Sequence, residues 1–113
     1  MYKSSSFDNL ETILSLISGK WKIYIINELL KKDLRFSEIK KRIGCTSKML
    51  TLSLKELESA GLVERVSIET PTAKVLYTLT EIGGTLFPVI DSLQAWGRDY
   101  KKLRKLQTNI KSK

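Results

Sequence analysis

Residues 46–65 read TSKMLTLSLKELESAGLVER. Leu50, Leu54 and Leu57 recur at intervals of four and three, the spacing that gathers side chains on one face of an α-helix. Thr46 or Ser47 stands where a hydroxyl can accept from a free backbone N–H of the first turn, and Ala60-Gly61 ends the segment. On such a helix Leu52 points outward between Lys48 and Lys55, a leucine on a basic face. Just upstream, RFSEIKKRIG (35–44) predicts a shorter helix with Phe36, Ile39 and Ile43 inward, Lys40, Lys41 and Arg42 outward, and Gly44 closing it. Only Cys45 and Thr46 separate the two, which makes the pair a helix-turn-helix candidate.

Working outward, Phe7, Leu10, Ile13, Leu14 and Ile17 predict an amphipathic N-terminal helix over about 7–18, punctuated by Ser18-Gly19. KWKIYIINELLKK (20–32) carries Trp21, Ile25 and Leu29 on one line, widened by Tyr24, Ile26 and Leu30, so a well-buried second helix follows, with a turn near Asp33. After Gly61 the period changes to two. LVERVSIET (62–70) and AKVLYTLT (73–80) read as a β-hairpin with Val75, Tyr77 and Leu79 on one face and its tip near 70–74. Thr80 caps a C-terminal helical region through Leu86, Val89, Ile90, Leu93, Trp96, Tyr100 and Leu103, to about 106. Gly83-Gly84 and Pro88 predict a break near Leu86, and TNIKSK (108–113) is expected to fray. The expected fold is mainly α with a small β-hairpin wing, a winged helix-turn-helix of order α-α-α-α-β-β-α(α), in one domain spanning 1–113.

Composition narrows the function. No apolar run approaches the roughly 18–20 residues of a membrane span, and MYKSSSFDNL lacks the apolar core of a secretory signal, so the cytoplasm is the expected compartment. One cysteine and no histidine remove disulfide scaffolds, Cys/His zinc sites and histidine-based catalysis. With no phosphate loop and no paired carboxylates, neither an enzyme nor a cofactor is expected. Residues 20–55 hold ten Lys/Arg against three Asp/Glu (net +7) and residues 98–113 seven against one (net +6), while residues 56–97 hold two against six (net −4). Two basic segments flanking an acidic middle point to a polyanion.

The stretches GKWKIYIINELLKKDLRFSEIKKRIG (19–44), SKMLTLSLKELESAGLVER (47–65) and VLYTLTEIGGTLFPVIDSLQAWG (75–97) also resemble the HxlR-type regulators, a MarR-like winged-helix group, over about residues 14–98. GKW, RF, KMLT, GLVER, YTLTEIG and LQAWG in this order make the resemblance specific. It implies a homodimeric transcription regulator that binds double-stranded DNA, its dimer built from the first and last helices; Leu10, Leu14, Leu93, Trp96 and Tyr100 fall there. Many members answer small-molecule electrophiles or oxidants. Those that sense thiol chemistry carry a cysteine near the N-terminus, about where this chain has Asp8.

Roles follow residue by residue. Thr46, Ser47, Lys48, Thr51, Leu52 and Lys55 point away from the leucine stripe and form the expected reading face. Hydroxyls and free N–H groups at the helix start suit phosphates or base edges, Lys48 a guanine edge or phosphate, and Lys55 a phosphate. Leu52 can meet a thymine methyl. Arg35 can clamp a phosphate or pair with Glu38 or Glu64; Thr72 and Lys74 are the wing candidates. Arg65 is expected to pair with its neighbours Glu64 or Glu69 rather than with DNA. Cys45, beside the reading helix, is the candidate redox switch. The function read here is a sequence-specific regulator, more a repressor than an activator, on an inverted-repeat operator. The alternative is a winged helix used for protein contacts, and membrane attraction by the basic tail is not favoured.

Overall fold

In a computed structural model, which describes residues 5–111, six helices and one hairpin follow in the expected order: α1 (Ser5–Ile17), α2 (Lys20–Leu29), α3 (Phe36–Ile43), α4 (Ser47–Ser59), β1 (Val63–Ile68), β2 (Lys74–Leu79), α5 (Glu81–Gly84) and α6 (Phe87–Lys111). The opening MYKS and the closing Ser112-Lys113, together with the side chains of residues 5–7 and 110–111, lie outside the described residues. Among the described residues no helix is long and apolar enough to cross a membrane.

One core joins α2, α3, α4, β1 and α6, with Leu16 and Ile17 of α1 and Tyr77 and Leu79 of β2 packed against it. Its centre is Ile25 and Ile26 of α2, Leu34 of the following connection, Ile39 of α3, and Leu50, Leu54 and Leu57 of α4, all within a few per cent of complete burial. Each such aliphatic side chain contributes about 1.5–3 kcal/mol by leaving water. The wide stripe of α2 explains its central position: it faces α3 and α4 together. Gly44 ends α3 at φ 71°, where a residue with a Cβ is strained, and its N–H donates to the Lys40 carbonyl (2.9 Å).

The hairpin pairs Val63 with Leu79, Arg65 with Tyr77 and Ser67 with Val75, so these six share the face turned to the helices. Its other face carries Val66, 40% exposed, opposite Leu76, and half-buried Ile68 opposite Lys74. Lys74 is therefore the first residue of β2 rather than part of the tip, which is confined to 69–73 and contains a cis Thr70–Pro71 bond. Backbone bonds from Leu34 N–H to the Tyr77 carbonyl (3.2 Å) and from Tyr77 N–H to the Leu34 carbonyl (2.7 Å) tie the hairpin to the α2–α3 connection.

Thr80 joins hairpin to helix: its hydroxyl donates to the Gly61 carbonyl (2.6 Å) and accepts from Gly83 N–H (3.0 Å). The expected break falls at Thr85-Leu86, between α5 and α6. Pro88 is the second residue of α6, where a missing N–H leaves no intrahelical bond unmade. Contrary to the expected thinning after Lys105 and fraying of the tail, α6 continues to Lys111. The segment 101–111 contains no glycine or proline to stop it.

Gly83 is buried, and a Cβ on it would overlap the Leu62 carbonyl, itself held by Thr80 N–H (3.0 Å). Gly83→Ala should cost about 2 kcal/mol or more by overpacking against backbone that cannot yield, while Gly84→Ala, which meets open space, should cost nothing. Thermal denaturation of the two variants side by side measures the contrast.

Candidate nucleic-acid interface

Helix α4 divides cleanly. Leu50, Ser53, Leu54 and Leu57 are buried, while Thr46, Ser47, Lys48, Thr51, Leu52 and Lys55 are all exposed on the opposite side. Leu52 is 48% exposed between the two lysines. Thr46 is the cap, its hydroxyl oxygen accepting from Met49 N–H (3.1 Å). Ser47 is the first helical residue, and the remaining free N–H groups of that turn open toward solvent beside Lys48, the arrangement that favours a phosphate oxygen.

Helix α3 leads into this face. Glu38 accepts from the backbone N–H of Arg35 (2.8 Å), and that bond is the main reason its carboxyl sits below the ordinary range. The bond is to backbone, so the Arg35 guanidinium makes no ion pair among the described residues, with Glu38 or Glu64. Arg42 is different: with Lys31 it holds Glu28, at 3.2 and 3.1 Å. Burial opposes ionisation of Glu28, and the two cationic hydrogen bonds more than offset it, holding the carboxyl below its usual value. Of the three outward cations on α3, Lys40 and Lys41 are left for other contacts.

On the wing, Thr72 stands exposed in the tip and Lys74 is half-buried at its edge. Arg65 departs from expectation. Rather than Glu64 or Glu69, its Nε meets Oε1 of Glu58 on α4 (3.3 Å), at the rim of a groove of about 330 Å³ between α4 and the hairpin. Phe36, Thr51, Lys55 and Tyr77 line the same groove. Arg65 lies on this side because its register partner is Tyr77, which shares the face turned to α4.

A second surface lies elsewhere. Leu10 and Leu14 of α1 are 58% and 59% exposed, and on α6 Leu93, Trp96, Tyr100 and Leu103 stand out of the core at three- and four-residue intervals. The Trp96 and Tyr100 rings stack at 5.2 Å. Apolar area of this extent on a small domain marks a contact surface. Cys45 has no such exposure: it is buried in the core beneath the α3–α4 turn. Among the described residues no cluster could hold a metal ion.

Comparison with known proteins agrees with this geometry. Residues 16–105 match the model of the HxlR-like helix-turn-helix family. The chain is 40% identical over 98% of its length to the uncharacterized HTH-type transcriptional regulator YdeP of Bacillus subtilis, covering 90% of that protein. The redox regulator HypR in its reduced form superimposes with a TM-score of 0.77 at 35% identity, over 86% of this chain and 97% of that one. A MarR-family regulator from Enterococcus faecalis V583 gives 0.77 at 33% identity, over 93% and 96%.

The cap assignment separates two adjacent hydroxyls. Thr46→Ala should lower stability by about 1 kcal/mol through loss of the α4 cap, whereas Ser47→Ala should leave it within about 0.5 kcal/mol. Urea titrations followed by circular dichroism test this, and equal losses would reassign the cap.

Proposed function

The chain belongs to the HxlR-like helix-turn-helix family and is a transcriptional regulator, and from that premise we propose that it is a homodimeric, cytoplasmic repressor of an inverted-repeat operator. The observation that carries the reading is the outward face of α4: six contiguous exposed positions with hydroxyls at the start, two lysines and Leu52 between them. Thr46, Ser47 and Lys48 enter the major groove first, Leu52 meets a base edge, and Thr51, Lys55 and Arg35 face phosphates, with Thr72 and Lys74 on the flanking backbone. Repression follows from occupying DNA that the polymerase needs. The relatives and the fold are those of transcriptional regulators and not of enzymes.

Dimerisation is supported by the apolar positions of α1 and α6. Leu10 and Leu14 with Leu93, Trp96 and Tyr100 cover one another across a two-fold axis, setting two α4 helices about one helical turn of DNA apart, 34–36 Å. A solvated basic helix used for protein contacts would not need both surfaces. An effector of electrophilic or oxidising chemistry, in keeping with the redox regulator HypR, acts through Cys45 only after the α3–α4 turn opens, since Cys45 is 9% exposed.

Footprinting should show two symmetric half-sites, with affinity falling steeply with salt at about 0.9 in the log–log slope per phosphate neutralised. Leu52→Gln should change the preferred base at one position per half-site and leave that slope alone. Trp96→Asp should give a monomer in sedimentation and lose most of the DNA affinity; a Trp96→Asp dimer would remove α6 from the interface. Alkylation of the wild type and of Cys45→Ser, each beside an untreated sample, tests the effector route, and equal affinity in all four excludes it.

A further inference from the structure

Arg65 is the one wing cation on the hairpin face turned toward α4, and the regulator reading does not use it. It lies opposite Tyr77 in the register, and its side chain, 62% exposed, meets Glu58, 28% exposed, across the groove that Lys55 and Thr51 also line. We propose that this groove is a seat for a single DNA backbone phosphate, held by Arg65, Lys55 and the Thr51 hydroxyl, with Glu58 as the residue that positions Arg65. The proposal rests on the DNA-binding reading of α4.

The argument is topological first. A helix lying in the major groove and a hairpin touching the adjacent minor groove are separated by one sugar–phosphate strand, so that strand must pass through the gap between them. The groove between α4 and the hairpin is that gap. Its volume is about 330 Å³, larger than a phosphodiester group.

The chemistry fits as well. Glu58 engages Arg65 at Nε, 3.3 Å away, and the terminal Nη groups remain to donate. A guanidinium fixed at one edge and open at the other presents a fork of the kind that binds phosphate oxygens bidentately. Lys55 adds a second cation, so two positive charges face one carboxylate and the seat keeps a net charge of +1. Thr51 supplies a short neutral donor one helical turn before Lys55. Phe36 and Tyr77 wall the groove with ring surface and limit the water that competes for these bonds.

A purely structural role for the Glu58–Arg65 pair makes a different prediction, which allows a clean test. Arg65→Lys, Arg65→Gln and Lys55→Gln would be titrated as full-length proteins against a labelled mixed-sequence duplex long enough for two half-sites, over a range of potassium chloride. Melting temperatures would be recorded alongside. Arg65→Gln is expected to weaken binding about tenfold per half-site and lower the salt slope of the dimer by about 1.8, as loss of one phosphate contact in each of its two subunits requires. Lys55→Gln should do the same. Arg65→Lys should keep the slope yet bind severalfold more weakly, because one ammonium cannot hold Glu58 and present a fork to phosphate. An Arg65→Lys protein that binds as tightly as wild type, or an Arg65→Gln protein with an unchanged slope and only a lower melting temperature, overturns the seat. If wild type itself shows no salt-dependent binding, the DNA-binding reading fails instead, and the two failures are distinct.

Discussion

Two backbone hydrogen bonds between Leu34 and Tyr77 hold the functional geometry together. A two-stranded hairpin alone is marginal in water, and this one gains a third backbone partner at the middle of β2. Leu34 is completely buried, so the bonds lie on the core and are not open to competition from solvent. Arg35 and Phe36 follow at once, which fixes the start of α3 and the middle of the wing from a single point. The spacing between α4 and the hairpin is set there, not by the strands themselves.

Much of this was legible because each element keeps its own period. The leucine stripe of α4, the Gly44 stop, Thr46 as one of two possible caps, the shared face of Val75, Tyr77 and Leu79, and the break before α6 all follow from local residues whose preference agrees with the tertiary result. What was not legible depends on phase or distance. β1 turns Arg65 toward α4 because its register is set by β2, a pairing that no local pattern of β1 announces. Glu58 then becomes the partner across a turn, nearer in space than Glu64 or Glu69. Cys45 precedes an exposed cap, and its burial is set by the turn that folds it under the core, which no local pattern announces. The length of α6 was underestimated because its distal turns have no core of their own to announce them.

Net charge is a poor count of available cations here. Lys22 is half-buried between the Ser15 carbonyl of α1 (3.3 Å) and Glu56 of α4 (3.5 Å). Lys31 and Arg42 share Glu28. These partners draw on the acidic residues that the sequence places in and around the basic segments, and they leave a smaller set, Arg35, Lys40, Lys41, Lys48 and Lys55, standing clear on the α3–α4 side. Local pairing thus sharpens the positive surface into the elements that surround the reading helix.

The hairpin is fastened midway by the Leu34 bonds and at its base by the Thr80 hydroxyl on Gly61 and the close approach of Gly83 to Leu62. All of residues 69–73 at its tip are exposed. It is a cantilever, stiff where it leaves the body and compliant at its end. Ordering such a tip against a partner costs about 1–2 kcal/mol of backbone entropy per residue fixed, while a side chain near the root, such as Arg65, arrives already aimed. Affinity per contact should therefore rise from tip to root, the reverse of what exposure alone would suggest.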